Sequence, residues 1–159
     1  MFFGGMYVSD YIIEKLKIEN YHKCNNIWDM HRHPDRTVEW GNQLESGERE
    51  VYVCVKDNEY VGEIAFYHGQ QDPVYTIIGR RVYISRMIVK EELRNQGIGA
   101  LLLDFMCDLA RERGYTELSL GVDVTNLPAR HLYKKKGFTK VLYHGTDKWG
   151  EFYKLLKRI

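Results

Sequence analysis

The chain has 159 residues, with 23 basic and 22 acidic side chains and a formal net charge of +1. Residues 1–159 are enough for one domain with a single sizeable core. So even a balance excludes a bulk electrostatic binder of nucleic acid or anionic membrane, and 44% hydrophobic with 28% charged residues is ordinary for a soluble globular chain.

Residues 1–11 lack the basic start and long apolar run of a secretory signal, and no stretch approaches the roughly 20 apolar residues that span a bilayer. Residues 11–18 alternate loosely, with Ile13, Leu16 and Ile18 apolar, and predict a first strand. A short helix N-capped by Asn20 is predicted over 20–30, and His33-Pro34-Asp35 breaks it. A second helix is predicted over 36–46, stopped by Gly47. The β-branched run at 51–55, the turn at 56–59 and the return over 60–67 predict a hairpin. Residues 81–89 predict a strand with Tyr83, Ser85, Met87 and Val89 on one face and Ile84, Arg86 and Ile88 on the other.

The glycine-rich turn Arg94-Asn95-Gln96-Gly97-Ile98-Gly99 follows. Beyond it Ile98, Leu101, Leu102, Phe105, Met106 and Leu109 keep helical spacing, Asp104, Asp108, Arg111 and Glu112 lie opposite, and Gly114 ends the helix. A strand is predicted over 116–122. A helix over 125–136 is opened by Asn126 and Pro128 and closed by Gly137. Two final strands, at 138–144 and 152–156, should pair. The order β-α-α-β-β-β-α-β-α-β-β defines an α/β fold with a mixed, mostly antiparallel sheet flanked by helices.

A glycine turn between a strand and a helix aims unpaired backbone N–H groups outward at the positive end of the helix dipole. It can bind a phosphate or pyrophosphate without a charged side chain, because Gly97 and Gly99 lack a Cβ and let the backbone approach; Arg94 adds a cation. No Lys-Ser/Thr follows the second glycine, and Ala100-Leu101-Leu102 lacks a third dinucleotide-binding glycine, which disfavours a nucleotide-binding protein. Cys24, Cys54 and Cys107 are odd in number and far apart, which fits a reducing, cytoplasmic setting. His22-Lys23-Cys24 and His31-Arg32-His33 lack zinc-site spacing, so no metal is expected.

Two blocks carry a family resemblance. Arg94 to Gly99 fits Arg or Gln, two residues, Gly, one residue, Gly or Ala; about thirty residues on, Asn126-Leu127-Pro128-Ala129-Arg130-His131-Leu132-Tyr133 precedes Gly137-Phe138. Together they resemble the GCN5-related N-acetyltransferase superfamily across roughly residues 81–138. The resemblance implies acetyl-coenzyme A as donor and an amine of a small molecule or protein as acceptor, joined without an acyl-enzyme. It places the pyrophosphate on the amides of Arg94, Asn95, Gln96, Gly97, Ile98, Gly99 and Ala100. The pantetheine arm would lie along Met87, Ile88 and Val89, where that strand splays from the strand at 116–122. It also leaves open a homodimer.

By the same resemblance Tyr133 donates a proton to the departing thiolate, which suits a phenol protonated at neutral pH; the other reading is a core tyrosine bonded to a carbonyl. Asn126 is a helix N-cap, a ligand of the pantetheine arm, or both. Lys134, Lys135 and Lys136 read as a solvated helix end, with Lys135 or Lys136 also open to the coenzyme 3′-phosphate. Many relatives carry a glutamate near the strand before the glycine turn as base, but residues 81–89 hold no carboxylate. Glu63 is the best substitute, with Glu151 or a water wire as others, and it also reads as a plain strand residue. A backbone N–H near Ile88 could hold the thioester oxygen. The missing carboxylate leaves a non-catalytic acyl-coenzyme A-binding module as the alternative function. Trp28, Trp40 and Tyr75 are candidates to line the acceptor pocket or to pack in the core, and Glu39, Glu45 and Glu48 to attract a cationic acceptor or to be solvated helix charges.

Overall fold

The structure, a computed structural model, describes residues 10–159, so most of the 1–11 segment read above lies outside the described residues. Its strands are β1 (Ile12–Lys15), β2 (Arg49–Lys56), β3 (Glu59–Tyr67), β4 (Arg81–Val89), β5 (Glu117–Asp123), β6 (Lys140–Asp147) and β7 (Gly150–Arg158). The helices are α1 (Pro34–Ser46), α2 (Ile98–Glu112) and α3 (Leu127–Lys135), with 3₁₀ segments at Ile18–Asn26, Met30–Arg32 and Glu91–Leu93. The sheet order is β1-β2-β3-β4-β5-β7-β6, and every neighbouring pair is antiparallel except β4 with β5.

Two cores lie on the two faces of this sheet. On one, Tyr52, Ile64, Phe66, Val82 and Ile84 pack against Ile98, Leu102, Leu103 and Met106 of α2 and Tyr133 of α3. On the other, Val51, Val53 and Ala65 pack against Cys24, Ile27, Trp28 and Met30, with Trp40 and Leu44 of α1 alongside. The buried stripe of α2 takes in Leu103, Cys107 and Ala110, while Leu101, Phe105 and Leu109 are only partly covered, so the helix is rolled from the expected face.

The first connection departs most from expectation. The helix foreseen at 20–30 is a run of 3₁₀ turns headed by Lys17, and Cys24 is its one buried residue. Its asparagines bond elsewhere instead of presenting an α-helical stripe: Asn25 accepts from the Met30 N–H and Asn26 donates to the Tyr60 carbonyl. Pro34 opens α1 rather than breaking a helix, since the first turn needs no N–H from it.

β4 contains the irregularity that shapes the site. Ala65 faces Arg86 and Phe66 faces Ile84, which leaves Ser85 as an extra residue without a partner on β3. The strand turns over there. Val82, Ile84, Met87 and Val89 all pack on the α2 side, while Ile88 joins the opposite core. The alternation expected from the sequence therefore fails beyond Ile84, because one inserted residue reverses every later side chain. Toward β5, β4 pairs only at Arg81–Glu117, Val82–Leu118 and Tyr83–Ser119. An ion pair of Arg81 Nε with Glu117 Oε1 at 2.9 Å fastens that closed end.

Candidate active site

Past Tyr83 the two parallel strands part around a cleft of about 370 Å³. Its walls are Tyr83 to Met87 from β4 and Leu120 to Asp123 from β5, with Asn126 and Tyr133 of α3, Phe152 of β7 and Tyr75 of the β3–β4 loop. That loop is latched down: Arg81 Nη1 donates to the Val74 carbonyl at 2.6 Å, and Lys154 pairs with Asp72 at 2.5 Å. The β4 edge from Ile84 to Val89 pairs with no strand on the β5 side, so its N–H and C=O groups are available there.

The glycine turn lies where β4 gives way to α2. Asn95 (φ 64°) and Gly97 (φ 89°) are both left-handed, which curls the backbone around Gln96. No side chain caps α2, so the amides of Ile98, Gly99 and Ala100, in its first turn, have no helical carbonyl to bond. The two glycines differ in purpose. A Cβ at Gly97 would meet nothing within 4 Å, so glycine serves the dihedral there. A Cβ at Gly99 would lie 3.0 Å from Leu132 Cδ2 and 3.2 Å from Met87 Cε. Its absence thus seats α2 against α3 and β4 rather than opening the backbone to a ligand. Arg94 is exposed, and its Nε donates to the Val89 carbonyl at 3.1 Å, tying the loop to the strand end.

Tyr133 is 8% exposed and stands edge-on to Phe138, ring centroids 6.1 Å apart. Among the described residues no protein group hydrogen-bonds its hydroxyl, which removes the carbonyl-bonded reading. Burial, reinforced by the phenol of Tyr83, pushes its pKa up to about 12. Asn126 caps α3, its Oδ1 accepting the Ala129 N–H at 3.2 Å, and also lines the cleft. Lys135 is exposed, while Lys136 pairs with Asp104 of α2 at 2.9 Å.

Glu63 is buried on the α1 side of the sheet, accepts from Trp28 Nε1 at 2.7 Å and is not a wall of the cleft. Burial raises its pKa, against the pull of Arg86, the Trp28 hydrogen bond and Arg49. Glu151 is exposed and paired with His144 across β6 and β7. Of the aromatic candidates, Tyr75 lines the cleft, with its ring 4.4 Å from that of Tyr83, and Trp28 and Trp40 belong to the α1-side core. Glu39, Glu45 and Glu48 are exposed.

Sequence reasoning missed three residues that gather here: Tyr83, Arg86 and Arg49. The available signal was Arg86 itself, a cation inside an otherwise apolar strand end. Arg49 lay outside the predicted strand, yet it is only 6% exposed.

A model of the Acetyltransferase (GNAT) family matches residues 13–138, and the chain belongs to that family. It is 38% identical over 82 residues to streptothricin acetyltransferase of Streptomyces lavendulae, covering 48% of this chain and 43% of that one. It is 30% identical over 102 residues to N-alpha-acetyltransferase 30 of Schizosaccharomyces pombe, covering 60% and 65%. In both, the match spans less than two thirds of the relative. Among solved structures, aminoglycoside 6'-acetyltransferase type Ii superposes with a TM-score of 0.75 at 18% identity, covering 92% of this chain and 96% of that one. A GNAT family acetyltransferase from Elizabethkingia anophelis with acetyl-CoA bound gives 0.71 at 17% identity, covering 95% and 99%. The expected fold, a mostly antiparallel sheet flanked by helices, is the fold these proteins share.

Proposed function

We propose that the protein is an N-acetyltransferase that moves the acetyl group of acetyl-coenzyme A directly onto an amine. One observation carries this reading: beyond Tyr83 β4 parts from β5, which leaves an unpaired strand edge on a cleft that Asn126 and Tyr133 also line. These features fit the coenzyme. The turn at Arg94 to Ala100 offers amides to a pyrophosphate, Met87 to Val89 offer strand-like bonds to pantetheine amides, and Asn126 and Lys135 flank that path. The coenzyme would supply an acetyl group activated as a thioester.

In this reading Tyr133 holds the proton that the departing sulfur needs, and the Ile88 N–H steadies the carbonyl oxygen. Glu63 takes the acceptor's proton through water, since it is not itself a cleft wall. Its raised pKa makes it a stronger base than an exposed carboxylate. The three cysteines, all free and buried, support a cytoplasmic location. Mixing the protein with acetyl-coenzyme A and a broad amine panel should release free thiol only when an accepted amine is present, with one acetyl group gained by that amine in mass spectra. Binding of the coenzyme with no amine-dependent release would instead favour a non-catalytic module.

A further inference from the structure

We propose that the acceptor is a small amine that also carries a carboxylate, and that Arg86 and Arg49 grip that carboxylate on the α1 side of the cleft. The proposal rests on the acetyltransferase reading above and narrows its acceptor.

Three guanidinium groups converge on the ring of Trp40: Arg86 at 4.4 Å, Arg49 at 4.8 Å and Arg36 at 5.3 Å. Arg86 also lies 4.7 Å over Trp28 and forms part of the cleft wall. Arg49 donates to Gln43 Oε1 and Ser85 Oγ, both at 2.9 Å. Among the described residues none of the three has a carboxylate oxygen within salt-bridge distance, and Arg86 makes no hydrogen bond at all. Half-buried Arg81, by contrast, is paired with Glu117.

Glu63 is the carboxylate that feels both Arg86 and Arg49, and burial favours its protonated form. Two or three cations therefore face at most one anion. An acceptor carboxylate would relieve that imbalance. Held 4.7 Å over Trp28 and 4.4 Å over Trp40, the Arg86 guanidinium keeps N–H donors that can form a two-pronged bond to a carboxylate. A polycation would meet like charge instead. The same cations disfavour an ammonium nearby, so they also push the acceptor toward the free amine that attacks.

The test compares matched amines with and without the carboxylate: phenylalanine against phenethylamine, methionine against methioninamide, lysine against cadaverine. Thiol release and product mass are read, with calorimetry on acetyl-coenzyme A alone run in parallel. The carboxylate member of at least one pair should show roughly tenfold or greater kcat/KM. Arg86→Gln should erase that preference through acceptor KM, leaving coenzyme affinity within about twofold, and Arg86→Lys, which keeps charge but not the fork, should restore only part of it. If Arg86→Gln fails to fold, the partial loss in Arg86→Lys carries the test. Equal or better use of the carboxylate-free members, or an undiminished preference in Arg86→Lys, overturns the proposal while leaving the acetyltransferase reading intact. Transfer to neither member of any pair, with the coenzyme still bound, also overturns it. Failure to bind acetyl-coenzyme A overturns both.

Discussion

At Tyr133, burial keeps the phenol protonated. Tyr133→Phe should lower kcat by about 10²-fold with little change in coenzyme KM, read from initial rates of thiol release. An acid that must hold its proton fails only as pH rises through its pKa, here about 12, so Tyr133 should impose no alkaline limb below that range. Glu63 works in the opposite sense. A base must have lost its proton, and its raised pKa should move the acid limb of kcat/KM above the ordinary carboxylate value of 4.5. Glu63→Gln should abolish that limb and lower kcat; an unchanged pH profile would assign the proton to another group. Tyr133 and Asn126 were legible in the sequence because they lie within one contiguous block on one helix. Arg86 and Arg49 were not, because they come from different strands and meet a tryptophan from α1. No spacing in the chain records that meeting.

Among the elements, the start of α2 leaves its first amides free and the closed end of the β4–β5 pair bounds the cleft. Gly97→Ala places a Cβ on a residue with φ of 89°, which should destabilise the fold by about 1–2 kcal/mol in urea melts and weaken coenzyme binding by calorimetry. Gly99→Val should act differently, wedging Leu132 and Met87 apart. At the closed end Glu117 meets Arg81 at 2.9 Å, Arg80 at 3.5 Å and Arg158 at 3.9 Å, and the side chains of Arg81 and Glu117 are each 10% exposed. Glu117→Gln should cost about 3 kcal/mol, because it leaves Arg81 charged, buried and without its carboxylate. The element order was legible because apolar spacing and glycine stops mark long helices and strands. The 3₁₀ run at Ile18–Asn26 was not, since its asparagines find partners on neighbouring segments that local propensity cannot foresee.

For the molecule as a whole, the long-range tie of the α2 end to β2 sets its behaviour in acid. Glu50 accepts from Arg113 Nη1 at 2.7 Å, from Tyr52 at 2.6 Å and contacts His68 Nε2 at 2.9 Å. Burial alone would raise its pKa, but hydrogen bonds from Arg113, His68 and Tyr52 overcome it and hold the carboxyl well below the usual range. A group whose folded pKa is depressed contributes stability above its unfolded pKa and loses it as pH falls toward the folded one. The protein should therefore lose stability below an ordinary value of about 4.5. Glu50→Gln should cost roughly 2 kcal/mol at neutral pH, moderated by the partial exposure of Arg113, and should flatten the acid dependence of the urea midpoint.

The unpaired Ser85 gives the molecule a sharply uneven tolerance to change in length. Removing that single residue would leave Ile84, Arg86 and Met87 on their present faces and opposite their present β3 partners, but it would take out the kink and straighten the strand where it leaves β5. A deletion of the same size on a solvated loop would pass almost unnoticed. New acceptor preferences in this scaffold should accordingly arise by exchanging side chains around the kink, with the count of residues between the hairpin and the anion-binding turn held constant.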